Sequence, residues 1–321
     1  QLYRLKHEKN LTETEGYSLH LPQYLSYLIT SRAYSDITSI GCHTMLWNYE
    51  KNDYHEWVSK ENIDKRLAPI FPSDEVIRSR AHWKEFAVGV GLHDSSSALI
   101  PYLSSFHQPF ILISTGTWCI SLNPFNNQPL SDIELEKDCL SYLTYQRRPV
   151  KASRLFAGYE HEDQVKKLAA HFNTQVNYYE TVEFDHEIIT KLRKRIEQDK
   201  RKEFIPGPSI FGQRDLSIFK NYEEAYHQFI LDVMHQQIGS TSLVMKGTSV
   251  NRIFVDGGFS KNPVYMNLLA LAFPDIEVYA ASVAQATAMG AALAIHKHWN
   301  EQLLPADLIE LKYYADRQII S

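Results

Sequence analysis

The chain has 321 residues and a formal net charge of −5, and its composition excludes a disordered, collagen-like or coiled-coil protein. Its length suggests about two domains at about 150 residues each. The near balance of 33 basic and 38 acidic residues argues against a nucleic-acid partner, and no apolar run approaches the ~20 residues that cross a bilayer. Three scattered cysteines fit a reducing, cytoplasmic setting rather than a disulfide framework or a zinc site.

Patterns typical of helices and strands alternate along the chain. Apolar residues recur at helical spacing over 17–30 and predict a helix packed on a core. Short apolar runs predict strands at 84–90, 108–113, 252–255 and 276–279, and helical patterns cover 222–246, 263–273 and 283–296. The segment 203–221, rich in Gly and Pro, predicts a loop or a short hairpin, and turn residues predict a domain boundary near 101–109. The alternation predicts an α/β sandwich.

Three of the predicted strands end in turns with polar residues, and ligands bind at the carboxyl ends of strands in open α/β sheets. The first turn, GLHDSSSA (91–98), places Asp94 between a strand and a predicted helix. Two interpretations compete there. Asp94 or Ser95 caps the helix, or the Asp94 carboxylate accepts a proton from a substrate hydroxyl. Gly89 and Gly91 support the second interpretation, because glycine allows close approach of a ligand to the backbone.

The second turn is STGTW (114–118), which follows the strand predicted at 108–113. Its hydroxyl groups and its glycine are typical of an anion nest that binds phosphate oxygens. They are equally typical of a tight β-hairpin turn, with 119–124 as the returning strand. The two interpretations are compatible, so a hairpin does not exclude phosphate binding.

The third turn is VDGGFSKNP (255–263), a strand–turn–helix unit. The N-terminus of the helix directs partial positive charge at the turn. Gly257 and Gly258 would let a nucleotide lie against the backbone. An ordinary strand–helix loop is the alternative.

Several familiar sequence signatures do not occur. There is no G-x-x-x-x-G-K-[ST] phosphate loop, no complete dinucleotide fingerprint and no G-x-S-x-G elbow. His296 and His298 are two residues apart and do not share a helix face, so no metal pair is predicted there. The sequence therefore predicts no metal-ligating residue.

In this order and at these spacings, the three turns resemble those of the FGGY family of carbohydrate kinases. GLHDSSSA is similar to the family's catalytic-base turn, STGTW to its phosphate-binding hairpin, and DGGFSKNP with the later AQATAMGAALA to its adenosine-binding segment. The segment 30–58 matches the family's segment before the base, so the resemblance covers nearly the whole chain. The motifs are most similar to those of rhamnulokinase and fuculokinase, although 152–162 departs from the rhamnulokinase pattern near Leu155.

The resemblance implies a two-domain actin-like ATPase fold of the ribonuclease H-like type. Residues 1–105 would form the C-terminal part of a sugar-binding domain, which ends with the Asp94 turn, and residues 106–321 would form an ATP-binding domain. The family's opening Asp-x-Gly-Thr hairpin does not occur in this sequence. We therefore expect the first domain to be incomplete, without its opening strands.

The resemblance also implies an ATP- and Mg²⁺-dependent kinase that phosphorylates a hydroxyl of a ketose or deoxyketose. Asp94 would be the general base, and His93 and Ser95 would bind the sugar. The other two turns would hold the nucleotide through Thr115, Gly116, Thr117, Gly257, Gly258 and Asn262. We expect Thr117 and Gly258 to line one cleft between the domains.

A non-catalytic protein of the same fold, which binds sugar or nucleotide, is the alternative, and the missing opening motif favours it. The expected partner is a small sugar, with neither nucleic acid nor membrane. A homodimer is left open by the sequence.

Overall fold

The computed structural model of the chain describes residues 1–9, 16–42, 44–81, 84–196, 204–283, 285–305 and 307–315. In chain order, the α-helices are α1 (Leu2–Lys9), α2 (Leu21–Thr30), α3 (Ile37–Ile40), α4 (Glu56–Lys60), α5 (Asp94–Ala98), α6 (Ile100–Ser105), α7 (Asp132–Glu136), α8 (Ala157–Phe172), α9 (His186–Ile196), α10 (Tyr222–Met245), α11 (Pro263–Ala272) and α12 (Ala286–Ala294). The strands are β1 (Trp47–Asn48), β2 (Asp53–Tyr54), β3 (Val76–Ala81), β4 (Lys84–Gly89), β5 (Phe110–Thr115), β6 (Cys119–Asn123), β7 (Cys139–Leu143), β8 (Pro149–Leu155), β9 (Arg252–Gly257), β10 (Glu277–Ser282) and β11 (Glu310–Tyr314).

The chain folds into two compact units that are discontinuous in sequence. The first unit comprises Gln1–His107, Ser141–Val150 and Val283–Leu308, and the second comprises Gln108–Leu140, Lys151–Ser282 and Ile309–Ser321. The first crossing of the chain between units therefore falls two residues after the predicted boundary at 105/106. Two segments of the predicted second domain, 141–150 and 283–308, belong to the first unit, and local sequence patterns gave no sign of this. The assignment of sugar binding and ATP binding to the two parts stays a prediction.

A mixed sheet of seven strands, counted over the described residues, organises the second unit, with the order β11-β10-β9-β5-β6-β8-β7. β5, β9 and β10 run parallel, whereas β6 returns antiparallel beside β5. The predicted strands at 108–113, 252–255 and 276–279 and the returning strand at 119–124 are thereby confirmed. The parallel strands are apolar runs because helices cover such strands. Their buried side chains pack with those of α10 and α11 in one core. Its members include Ile111, Ile253, Val255, Tyr226, Phe229 and Leu268.

Two further antiparallel ladders of described strands, β1 with β2 and β3 with β4, lie in the first unit. A small core of buried side chains includes Ile37, Ile40, Trp47 and Val58. The prediction of a strand at 84–90 is confirmed by β4, which ends at Gly89. The expectation of missing opening strands stays a prediction.

Helix α2 confirms the helix predicted over 17–30, but it buries polar residues and exposes apolar ones. Its buried residues are Gln23, Ser26 and Thr30, whereas Leu21, Leu25 and Leu28 are 70%, 52% and 59% exposed. The prediction that its apolar residues pack on a core is therefore wrong for the described residues. The polar face is turned inward because it supplies hydrogen bonds to the neighbouring strand, as the site shows below.

The remaining predicted elements agree with the structure. α10, α11 and α12 confirm the helices predicted over 222–246, 263–273 and 283–296; residue 284 of the last lies outside the described residues. Within the described part of 203–221, which excludes residue 203, short 3₁₀ turns occur at Ile210–Gln213 and Leu216–Ile218 and no strand forms, so the loop is correct. Among the described helices, none is both long enough and apolar enough to span a bilayer.

Candidate active site

The turn between β4 and α5 presents an exposed carboxylate. Asp94 is the first residue of α5, and its side chain is 77% exposed. The backbone N–H of Ser95 donates to Asp94 Oδ1 over 2.6 Å, and His93 Nε2 lies 3.2 Å from the same oxygen. Residue His93, not Asp94, occupies the N-cap position, and its side chain makes no capping hydrogen bond. Neither Asp94 nor Ser95 therefore serves as the N-cap, which was the structural alternative to a role as base.

The polar face of α2 holds the chain segment that leads into this turn. Gln23 Nε2 donates to the carbonyl oxygen of Gly91 over 2.7 Å, and Ser26 Oγ donates to that of Gly89 over 3.0 Å. Gly91 has φ +88°, and a Cβ there would lie 2.7 Å from the carbonyl oxygen of Pro22. Glycine is therefore required for the close contact between α2 and the turn. Sequence analysis missed this role of α2, although polar residues three apart in an apolar helix were a visible signal.

His93 packs inside the first unit next to this carboxylate. Its Nε2 lies 3.1 Å from Cys42 Sγ, and its ring contacts Tyr142 at a centroid distance of 5.5 Å. Burial lowers the pKa of His93, and the nearby charge of Asp94 acts in the opposite direction. The same ring nitrogen, Nε2, thus lies close to both the Cys42 thiol and the Asp94 carboxylate.

In the second unit, the other two predicted turns lie at the same edge of the sheet. β5 and β9 are parallel neighbours, and Thr115 pairs with Gly257 at their carboxyl ends. Thr117 and Gly258 follow these strand ends, so the two turns lie at the same edge of the sheet. The Thr115 hydroxyl also donates to the carbonyl oxygen of Asp256, 141 residues away along the chain. The expected common location of these turns is confirmed within this unit. The cleft between the domains stays a prediction.

One buried residue joins these two turns by hydrogen bonds, whereas four other residues of the turns are exposed. The hydroxyl of Thr115, which is buried, donates to the carbonyl oxygen of Asp256 over 2.6 Å and accepts the N–H of Phe259 over 3.0 Å. Gly257 has φ +93°, and a Cβ there would lie 2.0 Å from the carbonyl oxygen of Thr115. The hydroxyl of Thr115 is thus used to join the turns, and its role as a phosphate ligand stays a prediction. Gly116, Thr117, Gly257 and Gly258 are exposed.

The N-terminus of α8 packs on the hairpin turn, which sequence analysis did not foresee. A Cβ on Gly158 would lie 1.8 Å from the carbonyl oxygen of Gly116. The N–H of Tyr159 donates to the carbonyl oxygen of Thr117 over 3.1 Å. A glycine three residues after the last residue of β8 was the available signal, because such close backbone contact excludes any side chain.

Asn262 closes the third turn with both ends of its amide. Its Oδ1 accepts the N–H of Tyr265 and caps α11, and its Nδ2 donates to the hydroxyl of Tyr226 over 2.7 Å. The Tyr226 oxygen also lies 2.8 Å from His161 Nε2. Burial lowers the pKa of His161 to about 4. His161 is therefore neutral near pH 7, and the side chains of His161, Tyr226 and Asn262 form one continuous chain of hydrogen bonds.

The depressed pKa of His161 predicts a loss of stability in acid. Between its pKa of about 4 in the folded protein and 6.5 in the unfolded chain, the unfolded chain binds more protons. The stabilisation is therefore complete above pH 6.5 and is lost as the pH falls toward 4, by up to about 3 kcal/mol. Urea unfolding at pH 7 and pH 4.5 measures this loss. The loss of stability should be smaller in His161→Gln, which keeps a hydrogen-bond partner for Tyr226. It should persist in the control His235→Gln, because His235 is exposed. An unchanged loss in His161→Gln would contradict the prediction.

Residues 107–303, more than half of the chain, match the model of the C-terminal domain of carbohydrate kinase FGGY. The chain belongs to the FGGY carbohydrate kinase family. Its mixed α/β architecture is the actin-like ATPase fold of these kinases. FGGY kinases use ATP as co-substrate. A comparison with curated proteins gave no significant match.

Solved structures similar to this chain agree with the family. A carbohydrate kinase from Novosphingobium aromaticivorans is 22% identical with a TM-score of 0.68, over 98% of this chain and 69% of that one. A xylulose kinase from Lactobacillus acidophilus is 14% identical with a TM-score of 0.75, over 99% of this chain and 67% of that one. A gluconate kinase from Lactobacillus acidophilus is 14% identical with a TM-score of 0.71, over 99% and 67%. These likenesses establish the fold that the FGGY chain shares with them.

Proposed function

We propose that this FGGY protein is an ATP-dependent sugar kinase that transfers the γ-phosphoryl group to a hydroxyl of a ketose or deoxyketose. The observation that carries the proposal is the exposed Asp94 carboxylate on a turn that two partly buried hydrogen bonds from α2 hold in place. An exposed carboxylate at the end of a strand can receive a proton from a bound alcohol. The similarity of the motifs to those of rhamnulokinase and fuculokinase supports the sugar class.

The sugar side of the proposed reaction uses the residues of the Asp94 turn. As the sugar oxygen attacks the γ-phosphorus, its proton passes to Asp94, and the bond from phosphorus to the leaving ADP oxygen breaks. His93 and Ser95 flank the carboxylate and would bind neighbouring sugar hydroxyls. Phosphoryl transfer needs little covalent chemistry from the protein, so positioning and charge neutralisation supply most of the rate.

The nucleotide side of the proposal uses the paired turns of the second unit. A Cβ on Gly116 would meet nothing within 4 Å, and one on Gly258 would meet only the Thr115 carbonyl oxygen, at 3.9 Å. This open space fits a phosphate chain against the backbone of Gly116, Thr117 and Gly258. Gly257 and Asn262 shape the third turn and would support the adenosine.

Magnesium is proposed to arrive with the nucleotide. Mg²⁺ in such kinases is held by substrate phosphates and waters with one or two carboxylates. The described residues contain no cluster of three or more His, Cys, Asp or Glu side chains that could hold a metal. The ion would neutralise charge on the transferring phosphoryl group.

The test is ADP formation from ATP with a panel of ketoses, deoxyketoses and polyols, with and without Mg²⁺. We expect ADP release that depends on one class of sugar and on Mg²⁺, and a phosphorylated sugar detected by mass spectrometry. Nucleotide or sugar binding without turnover on any member of the panel would favour the alternative, a non-catalytic binding protein. Equal ADP release with and without sugar would contradict sugar phosphorylation.

A further inference from the structure

We propose that Asp36 and Thr38, two buried residues, position the Asp94 carboxylate by fixing the backbone of His93. This inference rests on the proposed role of Asp94 as general base. Neither residue stands out in the sequence as part of a site, and neither touches Asp94 directly. They are positioning residues, which act through the chain that precedes the base.

Asp36 and Thr38 form a fully buried hydrogen-bonded turn at the start of α3. Both residues are 0% exposed. Asp36 caps α3: its Oδ1 accepts the backbone N–H of Thr38 over 2.9 Å and that of Ser39 over 3.4 Å, and its Oδ2 accepts the hydroxyl of Ser73. The Thr38 hydroxyl also donates to Asp36 Oδ1. The carboxylate is therefore fixed by four donors and holds the Thr38 hydroxyl in one orientation.

That orientation leaves the Thr38 oxygen free to accept one specific proton. Because the hydroxyl hydrogen is directed at Asp36, the lone pairs of Oγ1 face the other way. The backbone N–H of His93 donates to this oxygen over 2.8 Å, across 55 residues of sequence. A backbone N–H can only donate, so the direction of every bond from Asp36 to His93 is determined.

The position of the Asp94 carboxylate depends on this anchor. The side chain is largely exposed, and it accepts hydrogen bonds from the backbone N–H and the hydroxyl of the adjacent Ser95. Its direction is consequently set by the backbone of His93 and Asp94 rather than by packing around the carboxylate. The His93 ring, 3.1 Å from Cys42 Sγ and 3.2 Å from Asp94 Oδ1, adds a second constraint at the same residue. A displacement of about 1 Å at a reacting group can lower a rate by about 10²-fold.

The test compares Thr38→Val, which removes the hydroxyl but keeps the shape, with Thr38→Ser, which keeps the hydroxyl. We expect Thr38→Val to lower kcat by about 10-fold to 10²-fold, with the KM for ATP within about twofold of wild type. Thr38→Ser should restore most of kcat. Thr241→Val is the matched control, because Thr241 is a fully buried threonine of the second unit whose hydroxyl is hydrogen-bonded to Ser121 and Gln237.

Three outcomes overturn the proposal: a wild-type kcat in Thr38→Val, an equal loss in Thr38→Ser, or an equal loss in Thr241→Val. Activity is expressed per mole of folded protein, so that a loss of stability alone does not lower kcat. Asp94→Asn is measured in parallel. If it retains turnover, the proposed role of Asp94 fails; if it loses turnover while Thr38→Val does not, only the positioning role fails.

A measurement on the wild-type protein keeps the proposal testable if Thr38→Val does not fold. The His93 amide donates to a buried oxygen, so its hydrogen exchange should be at least about 10²-fold slower than that of an unstructured chain. Exchange at the rate of an exposed loop amide would show that the bond to Thr38 does not persist, and would overturn the proposal.

Discussion

Asp94→Asn is expected to lower kcat by about 10²-fold or more, while the fold and the affinity for ATP survive. An amide accepts hydrogen bonds as a carboxylate does, but it does not take a proton from the attacking hydroxyl. The exposed side chain contributes little to packing, so a loss of turnover in this variant would indicate a general-base role rather than a loss of structure. The assay uses Mg-ATP and the sugar that gives the highest turnover.

Asp132→Asn is the matched control for this substitution. Asp132 is also the first residue of a short helix, α7, and it is also exposed. Loss of a helix-terminal charge should affect both variants equally, whereas only Asp94→Asn should lose turnover. A kcat near that of wild type in Asp94→Asn would show that the proton goes to another group.

The second large effect is expected from Gly158→Ala, which should weaken ATP binding by about tenfold or more, equivalent to about 1.4 kcal/mol. Its Cβ would lie 1.8 Å from the carbonyl oxygen of Gly116, so either the hairpin turn or the start of α8 must move. Alanine is favoured over glycine in a helix by about 1 kcal/mol. A net loss of stability or affinity would therefore show that the backbone clash outweighs helix propensity.

Gly212→Ala is the control, because a Cβ there would approach only Gln164 Nε2, at the ordinary distance of 3.4 Å. Isothermal titration with ATP measures the affinity, and thermal unfolding measures the stability of each variant. An ATP affinity in Gly158→Ala equal to that of Gly212→Ala would contradict the proposed location of the nucleotide at the hairpin.

The local pattern of residues determined the elements and the turns of this FGGY protein. The strands at 110–115 and 252–257 could be predicted because apolar runs bounded by polar turns are a property of adjacent residues. The position of Asp94 directly after a strand is likewise a local feature. The order of the three turns was sufficient to indicate the family.

The tertiary structure alone decided what holds these turns. The hydroxyl of Thr115 bonds the N–H of Phe259 across 144 residues, and that of Thr38 bonds the N–H of His93 across 55. No periodicity encodes such pairs, because a side-chain oxygen selects its partner only after the strands and helices have packed. The same reason explains α2: its apolar spacing correctly predicted a helix, but its polar face is turned inward because it donates hydrogen bonds to the carbonyl oxygens of Gly89 and Gly91. Unpaired backbone oxygens are costly to bury, and Gln23 and Ser26 satisfy them.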